Sequence, residues 1–356
     1  MKVTGDFTRL VISAPAATTE HGRAQIDRFA DAQLPVDEVA DDEAVSAHPH
    51  ASQPSTLLVK YAPAEGWITS PDHGQLANRR GEYYLNPVSG CRSSCTYCYL
   101  RARPSGLRPL CIHVGLPSLF DALESHSARG MQPVLYATGE LADSVADIEI
   151  YPIAAILAEY FATRTDARLE LRTKDATVGP LLGIPHRGRT IIAFSLSPEE
   201  HVRRHEPGTA TVVERLCAAR KCQESGYPVA FKLEPLSVRA GWREDYDALL
   251  ALMSSMVDIS AIHHMSVGCL RWSEQLAMVK TFEKSHGDSI RNGDWVPYRD
   301  GRRNGTLARR ERLAAYRWIR DRVRGVGIQA PLWWSLEQAD LIAELERDVR
   351  TTEKME

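Results

Sequence analysis

The chain has 356 residues, 44% of them hydrophobic, which is room for a barrel-sized α/β domain with an extension and enough apolar content to bury a sizeable core. Its 43 basic and 46 acidic side chains leave a net charge of −3, which speaks against strong non-specific affinity for nucleic acid while leaving a local basic cleft open. No apolar run approaches the roughly 18 residues of a membrane span, and the N-terminus shows no signal-type apolar core, so a cytoplasmic protein without membrane contact is expected.

Residues 1–55, rich in Ala, Asp, Glu and His, show weak periodicity and read as an extension or loosely packed cap. From there the pattern turns regular. Leu57–Tyr61 is a short apolar strand, and Tyr83–Leu85 leads into a cysteine-rich loop. Helical spacing over Leu119–Arg129 is followed by a strand at Pro133–Ala137, an apolar helix at Tyr151–Thr163 and a strand at Arg168–Arg172. Strands at Thr190–Phe194, Pro228–Leu233 and Ala261–Val267 alternate with helices at Thr211–Ser225 and Tyr246–Met256. A helix at Leu307–Val323 and a strand at Ile328–Trp333 close the pattern, and residues 336–356 read as a C-terminal helix or tail. Strand–helix repetition implies a parallel sheet. About six units suggest a partial or closed α/β barrel over residues 56–335, with its active site at the C-terminal ends of the strands.

Three of the seven cysteines, Cys91, Cys95 and Cys98, fall within eight residues in GCRSSCTYCYL, while Cys111, Cys217, Cys222 and Cys269 are scattered. An odd, clustered count points to a metal site in a reducing compartment and away from a disulfide framework. Three thiolates spaced C-x3-C-x2-C suit three irons of a 4Fe–4S cluster and leave the fourth iron without a protein ligand. Zinc would normally ask for four ligands, and only His113 stands as an outlying fourth.

This spacing resembles the radical S-adenosylmethionine (SAM) enzymes, in which the open iron binds SAM and one-electron reduction cleaves it to a 5′-deoxyadenosyl radical. The resemblance implies that the aromatic between the second and third cysteines, Tyr97, packs near the adenine. It also makes Thr138, Gly139 and Glu140, after the strand PVLYA, a variant of the word that contacts the SAM amino group. The words YYLNPVSGCRSSCTYCYL, LELRTKD, IIAFSLSPEEHVRRHEPGT and GYPVAFKLEPL, in this order from about Leu57 to Trp272, narrow the resemblance to the spore photoproduct lyase family.

That family resemblance implies a partial (β/α)6 barrel and places SAM against Lys174 and Ser195. A lysine ammonium and a serine hydroxyl are both suited to a carboxylate. Tyr97 and Tyr99 match family tyrosines that relay a hydrogen atom or pack against SAM. The family's hydrogen-donor cysteine would fall in the word Glu140-Leu141-Ala142-Asp143, where this chain has no cysteine. Cys269, in SVGCLRW at a strand end, is the candidate replacement donor, and Arg271 beside it a candidate anion binder.

Other residues carry weaker expectations. His201, Arg203, Arg204 and His205 read as a solvated basic helix end. Arg101, Arg103 and Arg108 are candidates for a substrate mouth. Trp333 and Trp334 suit core packing or base stacking, His263 and His264 are assigned no metal, and Glu234 is a carboxylate suited to a sugar hydroxyl.

The expected activity is radical chemistry on a nucleoside or nucleotide, with a reductant such as flavodoxin or ferredoxin. The alternative is repair of the spore-photoproduct thymine dimer in DNA. A non-catalytic iron–sulfur or zinc redox sensor is the reading from another class.

Overall fold

In the computed structural model the strand-like words pair into three sheets. The structure describes residues 6–70, 82–102, 109–128, 133–273, 295–297 and 304–352, together with Lys280, Phe282 and Lys284. The largest sheet has eight strands in the order Leu332–Trp334, Ile262–Cys269, Val229–Leu236, Thr190–Ser195, Ala167–Thr173, Val134–Thr138, Glu82–Leu85 and Ile68–Thr69. All neighbours are parallel except the last pair. Helices at Ile153–Ala162, Val212–Glu224 and Trp242–Met256 return the chain between successive strands, as parallel pairing requires. The two end strands are not paired with each other, so the sheet curls into an open barrel, in agreement with the partial-barrel expectation.

The helices bury one face against the sheet. Leu157 and Phe161 join Tyr136, Leu169 and Leu171 in one core, each fully buried large side chain contributing about 1.5–3 kcal/mol. The helix after Thr211 starts where its sequence says it should. Thr211 Oγ1 accepts from the Glu214 amide, and the Glu214 carboxylate accepts from the Thr211 amide, which satisfies two otherwise orphaned donors.

The N-terminal residues depart from the expected loose cap. Arg9–Ser13 pairs in parallel with Val36–Val39 on one side and Thr56–Lys60 on the other. The sheet continues through Cys111–His113 to Val88–Ser89. A division at residue 55 therefore separates paired strands, and the Leu57–Tyr61 word belongs to this second sheet, not to the barrel. Weak periodicity misled because Leu10, Val11 and Ile12 are all fully buried, so the strand does not alternate. The helix Glu20–Asp31 docks the unit on the barrel, with Gln25 Nε2 and Arg28 Nη1 both 2.9 Å from the Ile150 carbonyl. At the other end, Ala339–Thr352 forms a helix whose Glu344 meets Arg309 and Arg317. Among the described residues no helix is long and apolar enough to cross a membrane.

If the N-terminal sheet is part of the folded core, Ile12→Ala should lower unfolding stability by about 2–5 kcal/mol. Urea denaturation measures this, and a change near zero would restore the loose-cap reading.

Candidate active site

The strand ends of the barrel open onto one cavity of about 810 Å³. Cys91, Cys95, Cys98, Tyr97, Tyr99, Gly139, Glu140, Lys174, Ser195 and Cys269 all line it, whereas Thr138 and His113 do not. Glu234 and Arg271 line it as well.

Local geometry explains how the cysteine loop is held. The Ser94 amide donates to the Pro207 carbonyl and the Thr96 amide to the His205 carbonyl, both at 2.8 Å, and Ser93 Oγ reaches the Gly208 carbonyl at 3.2 Å. The Tyr97 hydroxyl donates to the Glu206 carboxylate. Glu206 in turn pairs with Arg215 at 2.6 Å, both side chains wholly buried. Arg215 also donates to the carbonyls of Ser195 at 2.8 Å and Ala210 at 2.9 Å and to Thr209 Oγ1 at 2.7 Å. One guanidinium thus ties the cysteine loop, the 205–210 turn and the Ser195 strand end together.

The helix end at residues 201–205 is therefore split. Arg203 and Arg204 are solvated and paired with Glu200, as read from the sequence. His201 is buried, its ring centroid 5.6 Å from that of Tyr97. Arg101 donates to the carbonyls of Cys95 at 2.8 Å and Ser94 at 2.6 Å and is absent from the cavity lining; it braces the loop and forms no mouth. Arg103 and Arg108 lie outside the described residues.

The turn after Val134–Thr138 is fixed by Asp143. Its carboxylate accepts from Thr173 Oγ1 and from the Lys174 amide, each at 2.7 Å, and so sets the end of the neighbouring strand. Gly139 has φ +95°, and a Cβ there would lie 2.8 Å from the Arg172 Cβ and carbonyl oxygen, so this close approach requires glycine. Arg172 pairs with Glu82 and, at 2.6 Å, with Glu170, which keeps its charge engaged. Lys174 has its ammonium 6.0 Å from the Tyr97 ring centroid, with no carboxylate in salt-bridge contact among the described residues.

Tyr99 is 42% exposed and donates to the Glu140 carbonyl at 2.7 Å, so it is no core residue. Cys269 is buried at the cavity wall, and burial pushes its thiol up to about 11. Arg271 Nη2 donates to the Ser335 and Leu336 carbonyls, at 2.9 and 2.5 Å. Trp333 stacks on His264 at 3.6 Å and Trp334 lies 5.0 Å from Tyr316; neither lines the cavity, which leaves packing as their role.

The three loop thiols fit a cluster. None is in a disulfide, and burial pushes Cys91 and Cys95 to about 12 and raises Cys98. Buried thiols with so high a pKa become thiolates only beside a compensating cation, and metal coordination supplies one. Three thiols on one loop facing one cavity provide the three ligands that a 4Fe–4S cluster with an open iron needs.

Sequence reasoning missed Glu206, Arg215, Arg172 and Asp143. Arg215 left a signal, because it falls on the Val212–Leu216–Ala219 stripe of its helix, where an apolar residue is expected.

Comparison with known proteins agrees with this fold. A family model described as spore photoproduct lyase matches residues 73–276, more than half of the chain. Spore photoproduct lyase of Clostridium acetobutylicum is 28% identical over 178 residues, covering 49% of this chain and 53% of that protein. The Bacillus subtilis protein of the same name is 23% identical over 206 residues, covering 58% and 60%. The chain thus matches little more than half the length of these curated relatives. Among solved structures, spore photoproduct lyase complexed with dinucleoside spore photoproduct superposes with a TM-score of 0.78 at 18% identity, over 92% of this chain and 99% of that one. A mutant of the lyase with bound AdoMet and the same dinucleoside gives 0.77.

Two tests address the buried charges. Arg215→Ala leaves Glu206 buried without its partner and should cost about 3–5 kcal/mol by chemical denaturation. Burial disfavours the charged forms of Glu206 and Glu234, but Lys174 and Arg215 around the first, and Lys232, Ser266 and Arg172 around the second, hold both below the usual carboxylate range. Their stabilisation is present above the unfolded value near 4.5 and is lost as pH falls, down to about 2 for Glu234. Between pH 7 and pH 3, Glu206→Gln should therefore lose less stability than the unsubstituted protein.

Proposed function

The chain belongs to the spore photoproduct lyase family, and from that membership we propose that it is a radical SAM enzyme acting on a pyrimidine photoproduct of the dinucleoside or DNA type. The observation that carries this reading is the single cavity shared by the three loop thiols, Lys174, Ser195 and Cys269. The relatives named above, and the structural neighbour complexed with dinucleoside spore photoproduct, favour this alternative over the free nucleoside expected first from the sequence.

Cys91, Cys95 and Cys98 would hold a 4Fe–4S cluster, with SAM at its open iron. When bound, this pair supplies reductive cleavage of SAM and a radical that abstracts hydrogen from the substrate. A one-electron donor of the flavodoxin or ferredoxin kind would feed it.

The protein's own residues orient the reaction. Lys174 offers the SAM carboxylate a point charge, and Ser195, one strand further, offers a hydroxyl. Gly139 lets the turn lie against Arg172, which brings Glu140 to the cavity for the SAM amino group. Tyr97, held by Glu206, and Tyr99, held by the Glu140 carbonyl, stand beside the thiols as packing or relay groups. Cys269 has the protonation state that a hydrogen donor needs, because with a pKa of about 11 it keeps its S–H at neutral pH.

A free nucleoside or nucleotide substrate is the second reading. It rests on the Glu140-Leu141-Ala142-Asp143 word, where the family resemblance places a donor thiol and this chain has carboxylates.

The test is anaerobic reconstitution, reduction with SAM, and assay of 5′-deoxyadenosine against dinucleoside spore photoproduct and a nucleotide panel. Deoxyadenosine formation with recovery of the undamaged dinucleoside is expected. Cys269→Ala should keep deoxyadenosine formation and lose most of the repaired product. Full repair by that variant removes the donor role, and no SAM cleavage under any condition overturns the enzyme reading.

A further inference from the structure

The strand Val229–Leu236 ends in a carboxylate that none of the proposed steps uses. Lys232 and Glu234 alternate onto one face of this strand, and Lys232 stands in register with Ser266 on the next. Lys232 Nζ donates to Ser266 Oγ at 2.8 Å and lies 3.2 Å from Glu234 Oε1, while Ser266 Oγ donates to that same oxygen. Two donors are thus gathered on Oε1. Among the described residues no donor hydrogen-bonds Oε2, although the side chain lines the cavity.

Space is provided beside it. Gly268 faces Glu234 across the strand pair, and a Cβ at that position would lie 3.4 Å from Glu234 Cγ and 3.1 Å from Ser335 Cβ. In strand order Glu234 falls between Ser195 on one side and Cys269 on the other.

A carboxylate held in its charged form accepts hydrogen bonds and donates none. We propose that Glu234 is the cavity's fixed acceptor for a neutral O–H or N–H group of the bound ligands, lying between the SAM carboxylate pocket and Cys269. This rests on the radical SAM reading of the same cavity. Two sources share the chemistry, a ribose hydroxyl of SAM and a ring N–H of the pyrimidine substrate.

The amide variant tells them apart. In Glu234→Gln, Lys232 and Ser266 continue to demand an acceptor, so the amide oxygen stays with them and the NH2 turns to the cavity. A hydroxyl can reverse and accept from that NH2; a ring N–H cannot. Equilibrium dialysis of the reconstituted protein would measure the affinities for SAM and for dinucleoside spore photoproduct separately.

Glu234→Ala should weaken one of the two ligands by about 10- to 100-fold, the value of a hydrogen bond to a charged group. If SAM is the ligand affected, Glu234→Gln should recover part of the loss. If the photoproduct is affected, Glu234→Gln should be as weak as Glu234→Ala or weaker. Gly268→Ala leaves the Lys232 contact intact and narrows the space, and it should weaken the same ligand, which keeps the test open if the Glu234 variants fold poorly. Unchanged binding of both ligands in every folded variant overturns the proposal, while failure of the unsubstituted protein to cleave SAM overturns the underlying reading instead.

Discussion

A buried ion pair, Glu206–Arg215, holds the candidate site in shape. Both ions are removed from water, at a cost of several kcal/mol each, and only close pairing with full hydrogen bonding offsets this. The structure meets that demand, since Arg215 donates to two carbonyls and a hydroxyl besides the carboxylate. These acceptors lie on the Ser195 strand end and on the 205–210 turn, whose Glu206 in turn holds the cysteine loop. Ser195 ends a barrel strand, Thr209 and Ala210 form the turn that grips the cysteine loop, and Glu206 receives Tyr97 from inside that loop. A loop with little regular secondary structure of its own is thereby fixed to the barrel.

Once this frame is set, most cavity charges are committed to structure. Arg172 is engaged by Glu82 and Glu170, Asp143 by the Thr173 hydroxyl and the Lys174 amide, and Arg271 Nη2 by two carbonyls. Among the described residues the Lys174 ammonium has no carboxylate in salt-bridge contact and Glu234 Oε2 no hydrogen-bond donor. An anion acceptor, a hydrogen-bond acceptor and a neutral thiol, Cys269, therefore follow one another along the barrel rim.

Particular residues show how far the sequence could be read. The strands from Glu82–Leu85 to Ile262–Cys269 were legible because each is a short apolar run bounded by a helical period. Of the ten candidate site residues that line the cavity, the three cysteines stood out by their spacing, Cys269 by its strand-end position, and the others only through the family resemblance, while barrel geometry gathers strand ends and the loop beside them. Arg215 was not, because a charged residue on a surface-like helix gives no hint of burial unless its apolar neighbours at i+1 and i+4 are noticed. The N-terminal sheet was missed for the opposite reason: Leu10–Ile12 is buried on both faces, so the alternation that marks a half-exposed strand is absent. Arg101 looked like a substrate-mouth residue and Arg271 like an anion binder from charge and position, yet backbone carbonyls hold Arg101 Nε and Nη2 and Arg271 Nη2.

The sequence by itself determined the barrel class, the cysteine spacing and the family, since periodicity and ordered words are local along the chain. The tertiary structure decided which charges are spent and which remain available. That follows from distances between segments far apart in sequence, such as Tyr97 to Glu206 and Lys232 to Ser266, and no local pattern encodes them. It also decided that the strands Arg9–Ser13, Val36–Val39 and Thr56–Lys60 form one sheet, because a strand buried on both faces is recognisable only when its neighbours are in place.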